Sequence, residues 1–266
     1  MKKLLSVFTF SFVLIGLFNL TGCATSNWWH RGAKPPVMLT QKYGSLRFNQ
    51  LTIIGPVNVI VTQGKQQTLT LLGDQETLGK YVVHNGRHGL LVQAPADRPY
   101  CSTVYITASF LQKMRLGLGV LLKANKLEVL NLQVVGQGRS DIDVKGQIFA
   151  ARVEIEQQGQ GKIAFSWLAS DKVTVRSNKN GVIYLAGQSY RLFADLSDHA
   201  YLDAKYLRTN QVMVQAEDSA RADVLPLDSL RASTIDSSIV GYYHRPSDFK
   251  IDSQDSSNVL FLPGAH

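Results

Sequence analysis

The chain has 266 residues, 45% of them apolar and 18% charged; this is too apolar for a disordered chain and long enough for an extended core. The net charge is +8, but basic residues are scattered among acidic ones and form no run interleaved with aromatics, which argues against a nucleic-acid partner. The mild surplus suits a surface near anionic lipid or polysaccharide as well as plain solubility.

Residues 1–22 read as an export signal. Lys2 and Lys3 form a positive start, and Leu4 to Leu20 is an apolar run broken only by Ser, Thr, Gly and Asn, short for a membrane-spanning helix. It ends in Leu20-Thr21-Gly22-Cys23. This resembles the bacterial lipobox, in which small residues admit a peptidase and the cysteine thiol receives a diacyl group. Cys23 is therefore the expected lipidation site, and two or three acyl chains suffice for stable anchoring. An ordinary signal peptide with an incidental cysteine is the alternative. Ala24 follows where Asp would mark retention at the inner membrane, so the resemblance implies the outer membrane of a Gram-negative cell, with the periplasmic or surface face left open. The other cysteine is Cys101. Acylation of Cys23 excludes a Cys23–Cys101 disulfide, which is the competing reading for an exported chain.

Residues 23–45 read as a lipidated tether. Trp28-Trp29-His30-Arg31 suits a membrane interface or a cap on the folded part, and Pro35-Pro36 stiffens the segment. Residues 46–115 form a β-rich part. Leu51–Ile54 and Val57–Val61 are predicted strands about Gly55-Pro56, with a third strand at 68–72. Asp74 caps a short helical turn. Strands at 81–83 and 90–92 flank Asn85-Gly86-Arg87-His88-Gly89 as a hairpin, and residues 103–107 form another strand.

Residues 116–266 are organised by a repeat. Windows such as LQVVGQGRSDI at 132–142, VRSNKNGVIYL at 175–185 and DSQDSSNVLFL at 252–262 share a polar centre between partly alternating flanks. Their seventh positions are Gly138, Gly161, Gly181, Ala200, Ala220, Ile239 and Asn258, at intervals of 23, 20, 19, 20, 19 and 19 residues. A period of about 20 with turn residues at its centre predicts a β-solenoid, because one such coil cannot bury its own inner face whereas seven stacked coils can. The expected fold class is all-β: a parallel β-helix of about seven coils of ~20 residues, preceded by the smaller β-rich segment.

The order Gly55-Pro56-Val57-x-Val59-x-Val61-x-x-Gly64, Gly73-Asp74-x-x-x-Leu78, a Gly-containing hairpin leading to Leu91, then Val104-x-Ile106, the ladder of coils and Val240-Gly241-Tyr242-Tyr243-His244-Arg245-Pro246-Ser247 resembles the GIN domain family of auto-transporter adhesin heads. The resemblance covers residues 46–262. The family's Ser-Gly-Ser-Gly turns are replaced by Gly138, Gly161, Asp218-Ser219, Asp236-Ser237-Ser238 and Asp255-Ser256-Ser257. The resemblance implies a right-handed β-helix on an exported or lipid-anchored protein and no defined chemistry.

The constellations that bear chemistry are sparse. Gly159-Gln160-Gly161-Lys162 lacks the spacing and following hydroxyl of a phosphate loop and reads as a solenoid turn. His84 and His88 straddle a turn and lack a third ligand, so no metal site and no cofactor are expected. There is no Gly-x-Ser-x-Gly elbow. Asp195, Asp198, Asp218, Asp236 and Asp255 recur near one turn. Stacked at rung spacing they would suit either turn capping or, less well, a paired-carboxylate glycosidase. Convergence of two or more of Asp195, Asp198, Asp203, Asp218 and Asp223 with a Lys or Arg in an open groove would separate the two. Tyr242, Tyr243, His244 and Arg245 are the candidate partner-binding residues, with a stacked cap as the alternative. The expected function is non-enzymatic: a lipid-anchored envelope protein presenting its solenoid surface to a protein or glycan, or serving as scaffold. The alternative is a solenoid carbohydrate-active enzyme. An open edge near Leu260 allows association through strand ends.

Overall fold

The structure, a computed structural model, describes residues 37–44, 46–87 and 89–264. The lipobox, Cys23 and most of the tether lie outside them. The regular structure of the described part is all strand apart from one short helix. In chain order come β1 (Leu39–Tyr43), β2 (Gln50–Ile54), β3 (Asn58–Gln63), β4 (Thr68–Gly73), α1 (Gln75–Gly79), β5 (Val82–Gly86), β6 (Gly89–Gln93) and β7 (Thr103–Ala108). Then follow β8 (Lys113–Gly117), β9 (Leu121–Ala124), β10 (Leu127–Glu128), β11 (Asn131–Gly138), β12 (Asp141–Phe149) and β13 (Arg152–Gly159). The long strands β14 (Lys162–Asn178), β15 (Val182–Leu196), β16 (Tyr201–Ala216) and β17 (Arg221–Thr234) precede β18 (Ile239–Tyr242), β19 (Asp248–Ser253) and β20 (Asn258–Phe261). Among the described residues no helix is long and apolar enough to cross a membrane.

The expected β-solenoid is present. Each coil has two long sides joined by a tight turn and a short third side, which runs from β10 through Ile148, Leu168, Gly187 and Leu207, and each side stacks in parallel on its equivalent in the next coil. One ladder runs β6–β2–β8–β11–β13 and on through the second halves of β14 to β17 to β19. The other runs β7–β3–β9–β12 and on through the first halves of β14 to β17 to β18 and β20. The seven sequence windows are the seven junctions between these ladders from β11–β12 onward. The earlier β-rich part belongs to the same ladders: β2–β3, β6–β7 and β8–β9 are three further rungs. They stack out of chain order, with β2–β3 between β6–β7 and β8–β9.

The core is a set of columns along the axis. Leu132, Val153, Val173, Leu192, Val212 and Leu230 form one, and Ile142, Ile163, Ile183, Leu202, Ala222 and Val240 another; all are buried. Each fully buried aliphatic side chain contributes roughly 1.5–3 kcal/mol, and alternation leaves the intervening residues on the outer face. At the amino-terminal end the stack is closed by antiparallel strands: β4 on β7, β1 on β4 and β5 on β6. Asp74 caps α1 as expected, accepting from the Thr77 N–H at 2.9 Å and the Thr77 hydroxyl at 2.7 Å.

Residues 39–43, read from sequence as tether, form β1 instead. Four of its five residues are exposed, so no buried face marked it. It exists because it pairs with the outer edge of β4.

Candidate functional site

The turns that join the two sides use the left-handed backbone region. Lys179, Asp198, Asp218, Asp236 and Asp255 all have φ between 58° and 61°. Aspartate is among the few non-glycine residues that tolerate this conformation. The aspartates also cap one another's turns. The Lys179 N–H donates to Asp198 Oδ2 at 2.9 Å, the Asp198 N–H to Asp218 Oδ2 at 3.0 Å, and the Asp218 N–H to Asp236 Oδ2 at 3.4 Å. The carboxylates of Asp198, Asp218 and Asp236 are thus engaged in a ladder of backbone caps. Asp195 takes no part in these caps; it lies on the strand leading into the turn, in register with Arg176 and Gln215.

Asp203 and Asp223 do stand in register on neighbouring rungs. Asp223 is only 1% exposed. It accepts from the Tyr201 hydroxyl at 2.8 Å and from the Arg221 guanidinium at 3.1 and 3.2 Å. Asp203 pairs with Lys205 at 3.2 Å. Burial, and then the Asp223 carboxylate, push the Tyr201 hydroxyl well above the usual tyrosine range. Gly241 leaves room for this group, since a Cβ there would lie 2.6 Å from Asp223 Oδ1 and 2.7 Å from Leu262 Cδ1. A carboxylate so enclosed is a fixed structural acceptor and does not form the solvated pair that glycoside hydrolysis uses.

The sequence cluster at 242–245 is divided among three contacts. The Tyr242 ring packs on Phe261 with centroids 5.4 Å apart, the Arg245 guanidinium lies 4.5 Å above the same Phe261 ring, and His244 Nδ1 is 3.0 Å from the Pro226 carbonyl. Tyr243 continues the ladder through its N–H to the Val224 carbonyl. Gly159-Gln160-Gly161-Lys162 is a solenoid turn, with Gly159 at φ 131°. His84 is on β5, and His88 lies outside the described residues. Among the described residues no group of His, Cys, Asp or Glu could hold a metal ion.

A different surface gathers exposed aromatics. After the first inward residues of β14, β15 and β16 the register slips, between Phe165 and Leu168 and between Tyr184 and Ala186. The inner column resumes at Leu168, Gly187 and Leu207. The residues just before it, Trp167, Ala186 and Tyr206, form the outer column. Trp167 is 47% and Tyr206 58% exposed, on either side of Ala186. They are two rungs apart, about 10 Å at the spacing of paired strands. The Lys205 ammonium lies 5.3 Å from the Tyr206 ring centre. The adjoining corner is an open groove of about 670 Å³ lined by Ser170, Asp171, Gln188, Tyr190, Arg208 and Asn210 among others. Tyr190 is 48% exposed, with the Arg191 guanidinium 5.3 Å from its ring centre. Aromatic faces beside amide, carboxylate and guanidinium groups can hold a polyhydroxylated ring by stacking and hydrogen bonds.

The family model described as "Putative auto-transporter adhesin, head GIN domain" matches residues 47–246. Solved structures of the same fold include a putative adhesin of Parabacteroides merdae, at 15% identity and TM-score 0.78, covering 85% of this chain and 96% of that one. A putative lipid binding protein of Parabacteroides distasonis gives 14% identity and TM-score 0.80, again covering 85% and 96%. A putative adhesin of the latter organism gives 13% identity and TM-score 0.70, covering 85% and 98%. Identities this low establish the shared fold alone. No curated protein matches the chain significantly.

Proposed function

Because the chain belongs to the GIN domain family of auto-transporter adhesin heads, we propose that it is a non-enzymatic binding protein of the cell envelope. The lipobox ending at Cys23 supports anchoring by acyl chains in the outer membrane. The solenoid then holds a rigid contact face away from the bilayer.

The face proposed for ligand is the outer column Trp167–Ala186–Tyr206 with the groove beside it, and the ligand class is a glycan. The observation that carries this reading is the pair of half-exposed aromatics on a rigid ladder, separated by the low Ala186 and bordered by Gln188 and Arg208. A separation of about 10 Å lets an extended sugar chain present alternate rings to the two aromatic faces. The test is binding of full-length protein, solubilised in detergent, to immobilised envelope and host polysaccharides. Trp167→Ala with Tyr206→Ala should lower affinity at least about tenfold, since an aromatic stacking contact is worth about 1 kcal/mol. Retained glycan binding in the double variant would exclude this face. Absence of glycan binding with capture of a purified envelope protein would move the reading to a protein partner.

A further inference from the structure

The two ends of the solenoid are finished differently. At the amino-terminal end antiparallel strands cover the stack. At the other end the first ladder stops at β19, which pairs on one side only, with β17. Phe249 and Ile251 stand in register with Leu230 and Ala232, both buried. Among the described residues no rung lies beyond them, and Phe249 is 59% and Ile251 39% exposed. Stacked-repeat proteins need a polar terminal cap for solubility, and a strand edge with an apolar inner face invites another strand. This last rung also lies beyond the family match, which stops at residue 246.

We propose that β19 is a self-association edge, pairing antiparallel with β19 of a second copy so that Ile251 lies opposite Ile251. The strand's own sequence selects this occupant and register. Side chains opposite each other in an antiparallel pair share a face, and a one-residue slip would set inward residues against outward ones. Only registers centred on a residue keep Phe249 and Ile251 facing the joint core. Centring on Lys250 places Lys250 opposite Lys250 and Asp248 opposite Asp252. Centring on Asp252 places Asp252 opposite Asp252. Centring on Phe249 places Asp248 opposite Lys250 but pairs only residues 248–250 of the strand, whereas centring on Ile251 pairs residues 249–253. Centring on Ile251 places each Lys250 opposite the other copy's Asp252, twice over, with the two Ile251 side chains between. Opposite charges directly across a strand pair stabilise it and like charges destabilise it. Among the described residues neither Lys250 nor Asp252 forms an ion pair within its own chain.

The test is the mass of detergent-solubilised full-length protein by size exclusion with light scattering, across a concentration series. Wild type should give a dimer. Lys250→Asp and Asp252→Lys should each raise the dissociation constant about tenfold or more. The double exchange, Lys250→Asp with Asp252→Lys, should restore the dimer. Circular dichroism of each variant should match wild type, since both Lys250 and Asp252 lie on the exposed face of β19 in the single chain. A monomeric wild type overturns the proposal. So does a dimer indifferent to the single reversals, and so does failure of the double exchange to restore it.

Discussion

The Tyr201 hydroxyl donates to the buried Asp223 carboxylate across two adjacent rungs, at 2.8 Å. Arg221, in register with Tyr201, completes the group from the rung of Asp223. Asp223→Ala leaves the Tyr201 hydroxyl without its acceptor, while Arg221, half exposed, can turn to water. The expected loss is about 1–3 kcal/mol, read as a lower urea midpoint. A midpoint equal to wild type would mean that this network contributes nothing to the fold.

The same hydroxyl gives an alkaline signature. Burial, reinforced by Asp223, raises the folded-state value of Tyr201 above the ordinary 10.0. Its contribution is therefore complete below the unfolded-state value and is lost as pH rises through the folded-state one. Burial likewise raises Tyr81, with Ser102 opposing the shift. Urea unfolding at stepped pH from 8 upward should show stability falling above about pH 10. Tyr201→Phe should lose some stability at pH 8 and fall less steeply beyond it. An unchanged slope would refute the linkage.

The turn ladder separates backbone conformation from capping. Asp218 sits at φ 61° and its carboxylate accepts the Asp198 N–H. Asp218→Ala loses both advantages and should cost about 2 kcal/mol. Asp218→Gly relieves the backbone but still loses the cap, at about 1 kcal/mol. Asp218→Asn retains a side-chain oxygen and should be nearly neutral. The order Ala, Gly, Asn in denaturant midpoints is the check.

Anchoring has a direct test at the sequence level. Cys23→Ser should abolish acylation and move the protein from the membrane to the soluble fraction, with the acyl mass lost by intact-protein mass spectrometry. A variant that stays membrane-bound with unchanged mass would remove Cys23 as the anchor.

The coil period was legible because its turns demand particular residues. Glycine, aspartate or, once, Lys179 at a left-handed position recurs where the chain changes sides, and apolar residues flank it at strand phase. The order of the first three rungs was not legible, because a period says nothing about which strand edges meet. The aromatic face was hidden for a more local reason. Strict alternation from the inward Phe165 would turn Trp167 inward as well. The bulge lets Ser166 and Trp167 both face outward before Leu168 returns to the core, and Lys205 and Tyr206 do the same between Ala204 and Leu207. By contrast, residues 242–245 were conspicuous in sequence, yet the fold spends Tyr242 and Arg245 on Phe261.

The placement of β2–β3 between two rungs made later in the chain has a consequence for the order of folding. A polypeptide emerging amino terminus first cannot complete its amino-terminal end when residue 63 appears, because both flanking neighbours, up to residue 124, are still to come. That end must wait for long-range closure, whereas everything after it can accrete one coil at a time on a finished template. Maturation should therefore show a slow, all-or-none first step followed by rapid growth toward the carboxy terminus.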